Sequence, residues 1–314
     1  MSACGFALMA IFAKQAYRDG LGVTTLLATR FALAAAIFWA IVCVRRARQP
    51  AAALAAAVPP ARNVVLAAIL LGAVGYSVQA GLFFNALTYI DASLTSLLLY
   101  TFPALVCIGS LALGRERLSP LKTGALVLAS AGTALVLLGG GAGGLQATGV
   151  LLGLGAGITY SIYILVAVEF VPRIDAWLFS ALVCTGAAVT ITLTGLVKGS
   201  LEVAGGGAWV WILAIALFST VIPISTFLLG LERVGGPTAS IVSTIEPVLT
   251  VALAVVWLGE SLAAAQLLGG VLVVAAVLAL QSRRAERGVS VGHDVAAPAP
   301  AGAAPARTPA SEAA

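Results

Sequence analysis

The chain has 314 residues, 61% of them apolar and only 9% charged, with a net charge of +5. Soluble domains carry about 25% charged residues, and the mean hydropathy here is +1.08. So little charge cannot cover a water-facing surface, which excludes an ordinary soluble protein and describes an integral membrane protein.

The basic excess does not point to nucleic acid. It sits in short clusters beside apolar runs, as in Arg45-Arg46-Ala47-Arg48 and Arg283-Arg284, which is how membrane topology signals look. Cys4, Cys43, Cys107 and Cys184 lie in apolar runs with no C-x-x-C spacing and read as small buried residues. Neither a disulfide framework, a metal site nor a cofactor is expected. The only histidine is His293, in the tail, which excludes histidine-dependent catalysis inside the membrane.

A helix needs roughly 20 apolar residues to cross about 30 Å of hydrocarbon. In chain order, spans are predicted at about 2–17, 23–44, 64–86, 92–113 and 120–139. Five more follow at about 148–168, 176–197, 209–231, 237–258 and 263–281. The runs are continuously apolar, so they read as helices and not as the alternating strands of a barrel. The predicted fold class is an all-α membrane protein with ten transmembrane helices.

The first span is short, and Lys14 and Arg18 follow its apolar stretch where a signal peptide would have them precede it. One expectation is that the native start lies a turn or two earlier. The longest connection, about 45–63, carries four arginines around an Ala/Pro stretch. The run Gly139-Gly140-Gly141-Ala142-Gly143-Gly144 is a flexible join at the midpoint. Residues 282–314 are rich in Ala and Pro and are expected to form a disordered cytoplasmic tail.

Positive residues set the orientation. With the N-terminus in the cytoplasm, Arg45, Arg46, Arg48, Arg62, Arg115, Arg117, Lys122, Arg173, Arg233, Arg283, Arg284 and Arg287 fall inside. Only Arg18 and Lys198 fall outside, so both termini are predicted to be cytoplasmic.

An internal repeat is visible at an offset of 144: Pro103 aligns with Pro247, Glu116 with Glu260 and Leu118 with Leu262. A proline followed thirteen residues later by Glu-x-Leu, twice, is a pattern in scarce residues. Each half holds five predicted spans, at 1–139 and 148–281. An odd number inverts the second copy in the membrane.

These features resemble the drug/metabolite transporter superfamily, specifically its EamA-type family. The second half carries Ala239-Ser240, Glu246-Pro247-Val248, Trp257-Leu258-Gly259-Glu260-Ser261-Leu262 and Gly269-Gly270. The first half carries Arg30-Phe31 and the stretch from Pro103 to Leu118, departing in the arginine of Leu113-Gly114-Arg115-Glu116. The resemblance implies a secondary transporter of small metabolites, with two helical bundles around a central cavity and helix pairs at its rim acting as gates. Family analogy makes export of amino acids or related metabolites across the inner membrane the first expectation. A multidrug or other permease without proton coupling is the alternative. A non-transporting sensor or scaffold is the different class. The expected partners are a small-molecule substrate and the lipid bilayer, with protons as a candidate coupling ion.

Glu246 lies near the middle of the ninth span, where a charge costs about 2.5–3.5 kcal/mol on insertion scales. It is either a protonatable or substrate-facing cavity group, or a protonated acid that satisfies carbonyls disturbed by Pro247. Arg30, two turns into the second span, could attract an anionic substrate group, pair with Glu246, or snorkel outward. Lys14 reads as a snorkelling residue. Tyr76, Gln79 and Asn85 in the third span form a neutral polar set with Tyr160, Ser161 and Tyr163 in the sixth and Ser219 and Thr220 in the eighth. They suit a hydrated cavity or helix–helix hydrogen bonding. Pro103 and Pro247 are expected kinks for gating. Gly149, Gly153 and Gly157 recur every four residues and predict close helix packing. Glu116 and Glu260 are expected to cap the helix that follows each of them.

Overall fold

The computed structural model describes residues 1–50, 59–115, 119–139, 146–203, 205–230 and 245–293. Glu116, most of the glycine-rich join, the predicted start of the ninth span and the end of the tail lie outside the described residues.

Among the described residues the chain is helical and has no strand. The first half holds α1 (Ser2–Arg18), α2 (Val23–Ala47), α3 (Arg62–Tyr89), α4 (Ala92–Ala112) and α5 (Pro120–Gly139). The second holds α6 (Ala147–Phe170), α7 (Ala176–Lys198), α8 (Ala208–Gly230), α9 (Ile245–Leu258) and α10 (Ala264–His293). Helices α2, α3, α4, α6, α7 and α8 are each long and apolar enough to cross a bilayer. Shorter apolar stretches occupy α5 (Thr123–Val136), α9 (Ile245–Leu258) and α10 (Ala264–Leu280).

Helix α10 continues to His293, past the predicted end of its span near 281. Nothing in Gln281–His293 breaks a helix as proline would, and the first proline comes at Pro298.

The core is built between α1, α2, α3, α7 and α8, around Ile11, Phe31, Phe38, Phe84 and Ile212. Large apolar side chains also cover the outside, among them Val74, Leu138, Leu151, Val197 and Val256. That surface suits hydrocarbon, not water. Cys107 and Cys184 are buried, but Cys4 and Cys43 are exposed on this outer surface. The expectation that all four are buried is corrected for those two, because a thiol is apolar enough to face lipid.

Close packing relies on glycine at one junction above all. A Cβ on Gly72 of α3 would sit 2.0 Å from the Val183 carbonyl oxygen of α7. In return, a Cβ on Gly186 of α7 would sit 2.3 Å from the Ile69 carbonyl oxygen.

Three helices loosen locally into π turns, at Leu71–Tyr76 in α3, Leu217–Val221 in α8 and Ala254–Leu258 in α9. A π turn inserts a residue and disturbs the backbone ladder. Side-chain hydroxyls meet this: Ser77 Oγ donates to the Gly72 carbonyl at 2.9 Å and Thr220 Oγ1 to that of Ile215 at 2.9 Å. Helix α4 is interrupted outright at Tyr100-Thr101, and Pro103 stands in the first turn after the break.

The helix ends gather at two poles. One pole brings together the C-terminus of α1, the α3–α4 corner and the α9–α10 corner, with Lys14, Asp91 and Glu260. The other carries Arg45 over the Trp177 ring, and the ion pair of Arg115 with Glu169.

Candidate functional site

Arg30 is the most deeply buried charged residue among those described, at 1% exposure. It does not snorkel. Its Nε donates to Thr220 Oγ1 at 2.8 Å, and the Tyr76 side chain lies beside its guanidinium. The Phe31 and Phe84 rings lie 4.9 Å and 5.1 Å from its Cζ, in range of a cation–π contact. The Thr220 hydroxyl donates to the Ile215 carbonyl, so its lone pairs are left to accept from Arg30.

Arg30 does not pair with Glu246. Among the described residues no carboxylate lies within 4.0 Å of the guanidinium. Taking a charge out of water costs several kcal/mol. Two neutral hydroxyls and two ring faces offset that only in part.

Glu246 stands at the start of the described part of α9, with Pro247 beside it. Its carboxyl is hydrogen-bonded to the Tyr100 side chain, which sits at the break in α4. Tyr100 is a residue that the sequence did not single out. A tyrosine in an apolar span is an unremarkable match, although this one lies three residues before the repeated proline.

An aromatic run joins the two charged groups. Tyr100 packs on Phe102 at 5.6 Å between centroids, Phe102 on Tyr160 at 4.7 Å, and Tyr160 stacks on Tyr163 at 6.1 Å. Tyr163 continues to Tyr76 at 5.8 Å, and Tyr76 to Phe31 at 5.1 Å. Tyr76, Tyr160, Tyr163 and Glu246 each keep part of their surface accessible.

The other predicted residues divide. Gln79 is buried. Asn85 is exposed and donates to the Gly81 carbonyl of its own helix at 2.7 Å, so it is not brought to this group. Ser161 Oγ bonds the Gly157 carbonyl at 2.7 Å and the Phe102 carbonyl at 3.2 Å. Ser219 is fully buried. Gly149, Gly153 and Gly157 face the α3–α4 corner and α4, where added Cβ atoms would meet Ile90, Leu98 and Thr101 within 3 Å.

One expectation at the Lys14 pole is corrected. Lys14 is half-buried and reaches the α3–α4 corner, where its Nζ donates to the Ile90 carbonyl at 2.8 Å. Glu260 does cap a helix, but that helix is α4, in the other half of the chain. The N-terminus of the following helix, α10, is served instead by Gln266 Oε1, which accepts from the Ala263 amide at 3.0 Å. Burial and the neighbouring Glu260 carboxylate push the Asp91 carboxyl above its usual range, while the Lys14 ammonium pulls it partly back.

The sequence pattern of EamA-like transporters matches residues 1–138 and 147–281. The chain belongs to the EamA-like transporter family. This EamA-like protein is 27% identical over 195 residues to an uncharacterized transporter of Archaeoglobus fulgidus, a match covering 60% of this chain and 66% of the relative's length. A solved protein crystal structure shares its fold, with a TM-score of 0.60 and 22% identity, over 90% of this chain and 97% of the other. The EamA-like chain is therefore a multi-pass membrane protein of a transporter family.

Proposed function

We propose that this transporter moves small metabolites, amino acids or related compounds, across the inner membrane by alternating access, with net export. The observation that carries the reading is the buried Arg30 guanidinium with no carboxylate partner among the described residues. An acidic group of the substrate would complete it. The aromatic run from Phe31 to Tyr100 would hold the body of the substrate, and Glu246 at its far end would take a cationic group or a proton. We assign Gln79 to this lining, and Pro103 and Pro247 to hinges.

The architecture proposed is ten transmembrane helices in two inverted five-helix repeats. Packing supports it: α2 lies against α7 and α5 against α10, each helix on its counterpart from the other half. The basic pole with Arg45, Arg115 and Arg173 supports cytoplasmic termini.

The test is flux in proteoliposomes loaded with a panel of labelled amino acids, with and without a pH gradient, beside Glu246→Gln. Exchange abolished by Glu246→Gln places that residue in the cycle. Exchange that persists and ignores pH reduces it to a structural role. Absence of flux for every amino acid overturns the substrate class.

A further inference from the structure

The contacts at the Lys14 pole fasten the two halves of the chain to each other. Gly259 ends α9 in a left-handed conformation, φ 71°, which a side chain rarely adopts. That turn brings Glu260 over the α3–α4 corner. The Glu260 carboxylate accepts from the Ala92 amide at 2.8 Å, the Ser93 amide at 3.0 Å and Ser93 Oγ at 2.7 Å. These amides are open donors of the first turn of α4, at the positive end of its dipole. Lys14 holds the Ile90 carbonyl on the other side of the same corner. Between them lies a cleft of about 290 Å3, lined by Lys14, Arg18, Asp91, Glu260 and Ser261.

A cap alone would not need this reach. Asp91 already occupies the N-cap position of α4, and aspartate is among the best residues there. Its side chain makes no capping bond. The bonds come instead from Glu260, 168 residues away. The segment they hold, Ala92–Leu99, ends at the break where Tyr100 meets Glu246.

We propose that Glu260 is a latch that holds this pole of the transport path shut, and that Ala92–Leu99 swings away when its three hydrogen bonds are released. The purpose of the latch rests on the transporter reading, but its test needs no substrate. Cys184 is buried and lies in the electrostatic surroundings of Arg30, Tyr76 and Tyr163. With Cys4, Cys43 and Cys107 replaced by alanine, it reports water access to the centre.

The experiment compares the full chain with Glu260→Gln and Ser93→Ala in lipid nanodiscs. It reads amide hydrogen exchange along α4 and the rate of Cys184 labelling by a charged maleimide. Glu260→Gln is expected to speed both exchange over 92–99 and labelling at least tenfold, with exchange in α6 and α7 unchanged. Ser93→Ala, which removes one bond of three, is expected to give a smaller rise in both, and it decides the matter if Glu260→Gln fails to fold. Faster exchange without faster labelling makes Glu260 a cap only and overturns the latch. So does no change in either. Opening by Glu260→Gln in a protein that moves no amino acid leaves the latch standing and overturns the substrate reading alone.

Discussion

Tyr76 and Thr220 stand 144 residues apart, the offset of the internal repeat, and both lie against the same guanidinium, that of Arg30, which donates to Thr220 Oγ1. Each lies in a π turn, one in α3 and one in α8. Equivalent positions of the two halves thus converge on one cation. A group held from both halves senses any movement of one against the other, which is where a carrier needs its ligand contact.

Arg30 should therefore be costly for stability and necessary for function. Replacing a buried ion pair by packed apolar side chains is often neutral or stabilising, by about 1–4 kcal/mol, and removing Arg30 leaves no carboxylate unpaired among the described residues. Arg30→Met is expected to hold or raise the melting temperature in detergent while reducing uptake of any anionic or zwitterionic substrate at least 100-fold. Paired thermal unfolding and proteoliposome flux check it. A large loss of stability would instead make Arg30 a structural residue.

Thr220 separates positioning from charge. Thr220→Val keeps the shape but removes the acceptor for Arg30 Nε and the donor to the Ile215 carbonyl. A hydrogen bond to a charged group is worth about 1.5–3 kcal/mol, so the substrate KM should rise at least roughly tenfold with kcat changing less. Thr220→Ser should restore most of the affinity, because it returns the hydroxyl.

Much of this was legible in the sequence, and the limits are physical. Arg30 and Glu246 stand out because charge is scarce inside apolar runs. Their partners do not, since Tyr100 and Thr220 are common residue types whose meaning depends on a contact across the fold. Asn85 is grouped with Gln79 in the sequence, yet six residues at 3.6 per turn place them about 120° apart around the helix. Gln79 is buried and Asn85 exposed for that reason. Glu260 was read as a cap from its place at a corner, but local pattern names no partner 168 residues away.

Asp91 gives the fold a pH dependence of definite sign. Its folded-state carboxyl is held above the usual range, by burial first and by Glu260 second. The folded protein therefore binds this proton more tightly than the unfolded chain does. Stability from this group is present at pH below the ordinary aspartate value and is lost as pH rises through the folded one. The melting temperature should fall as pH rises above the ordinary aspartate value of about 4, and Asp91→Asn should flatten that decline. Thermal unfolding in detergent across this range checks it, and an unchanged slope in Asp91→Asn would remove Asp91 as the source.

Two glycines of α3 should answer the same substitution with opposite signs. At Gly72 an added methyl would lie 2.0 Å from the Val183 carbonyl oxygen, which belongs to backbone and cannot rotate away. Gly72→Ala must push α3 off α7, and overpacking of this kind costs about 1–3 kcal/mol. At Gly81 nothing lies within 4 Å of the new Cβ. There the gain is the lower backbone entropy of the unfolded chain and the better helix propensity of alanine, about 0.5–1 kcal/mol. Gly72→Ala should lower the melting temperature by several degrees and Gly81→Ala should raise it slightly. Because α3 also carries Tyr76, the displaced helix in Gly72→Ala should weaken transport as well, whereas Gly81→Ala should leave it unchanged. A Gly72→Ala protein as stable as the parent would mean that α3 and α7 do not pack as closely as 2.0 Å implies.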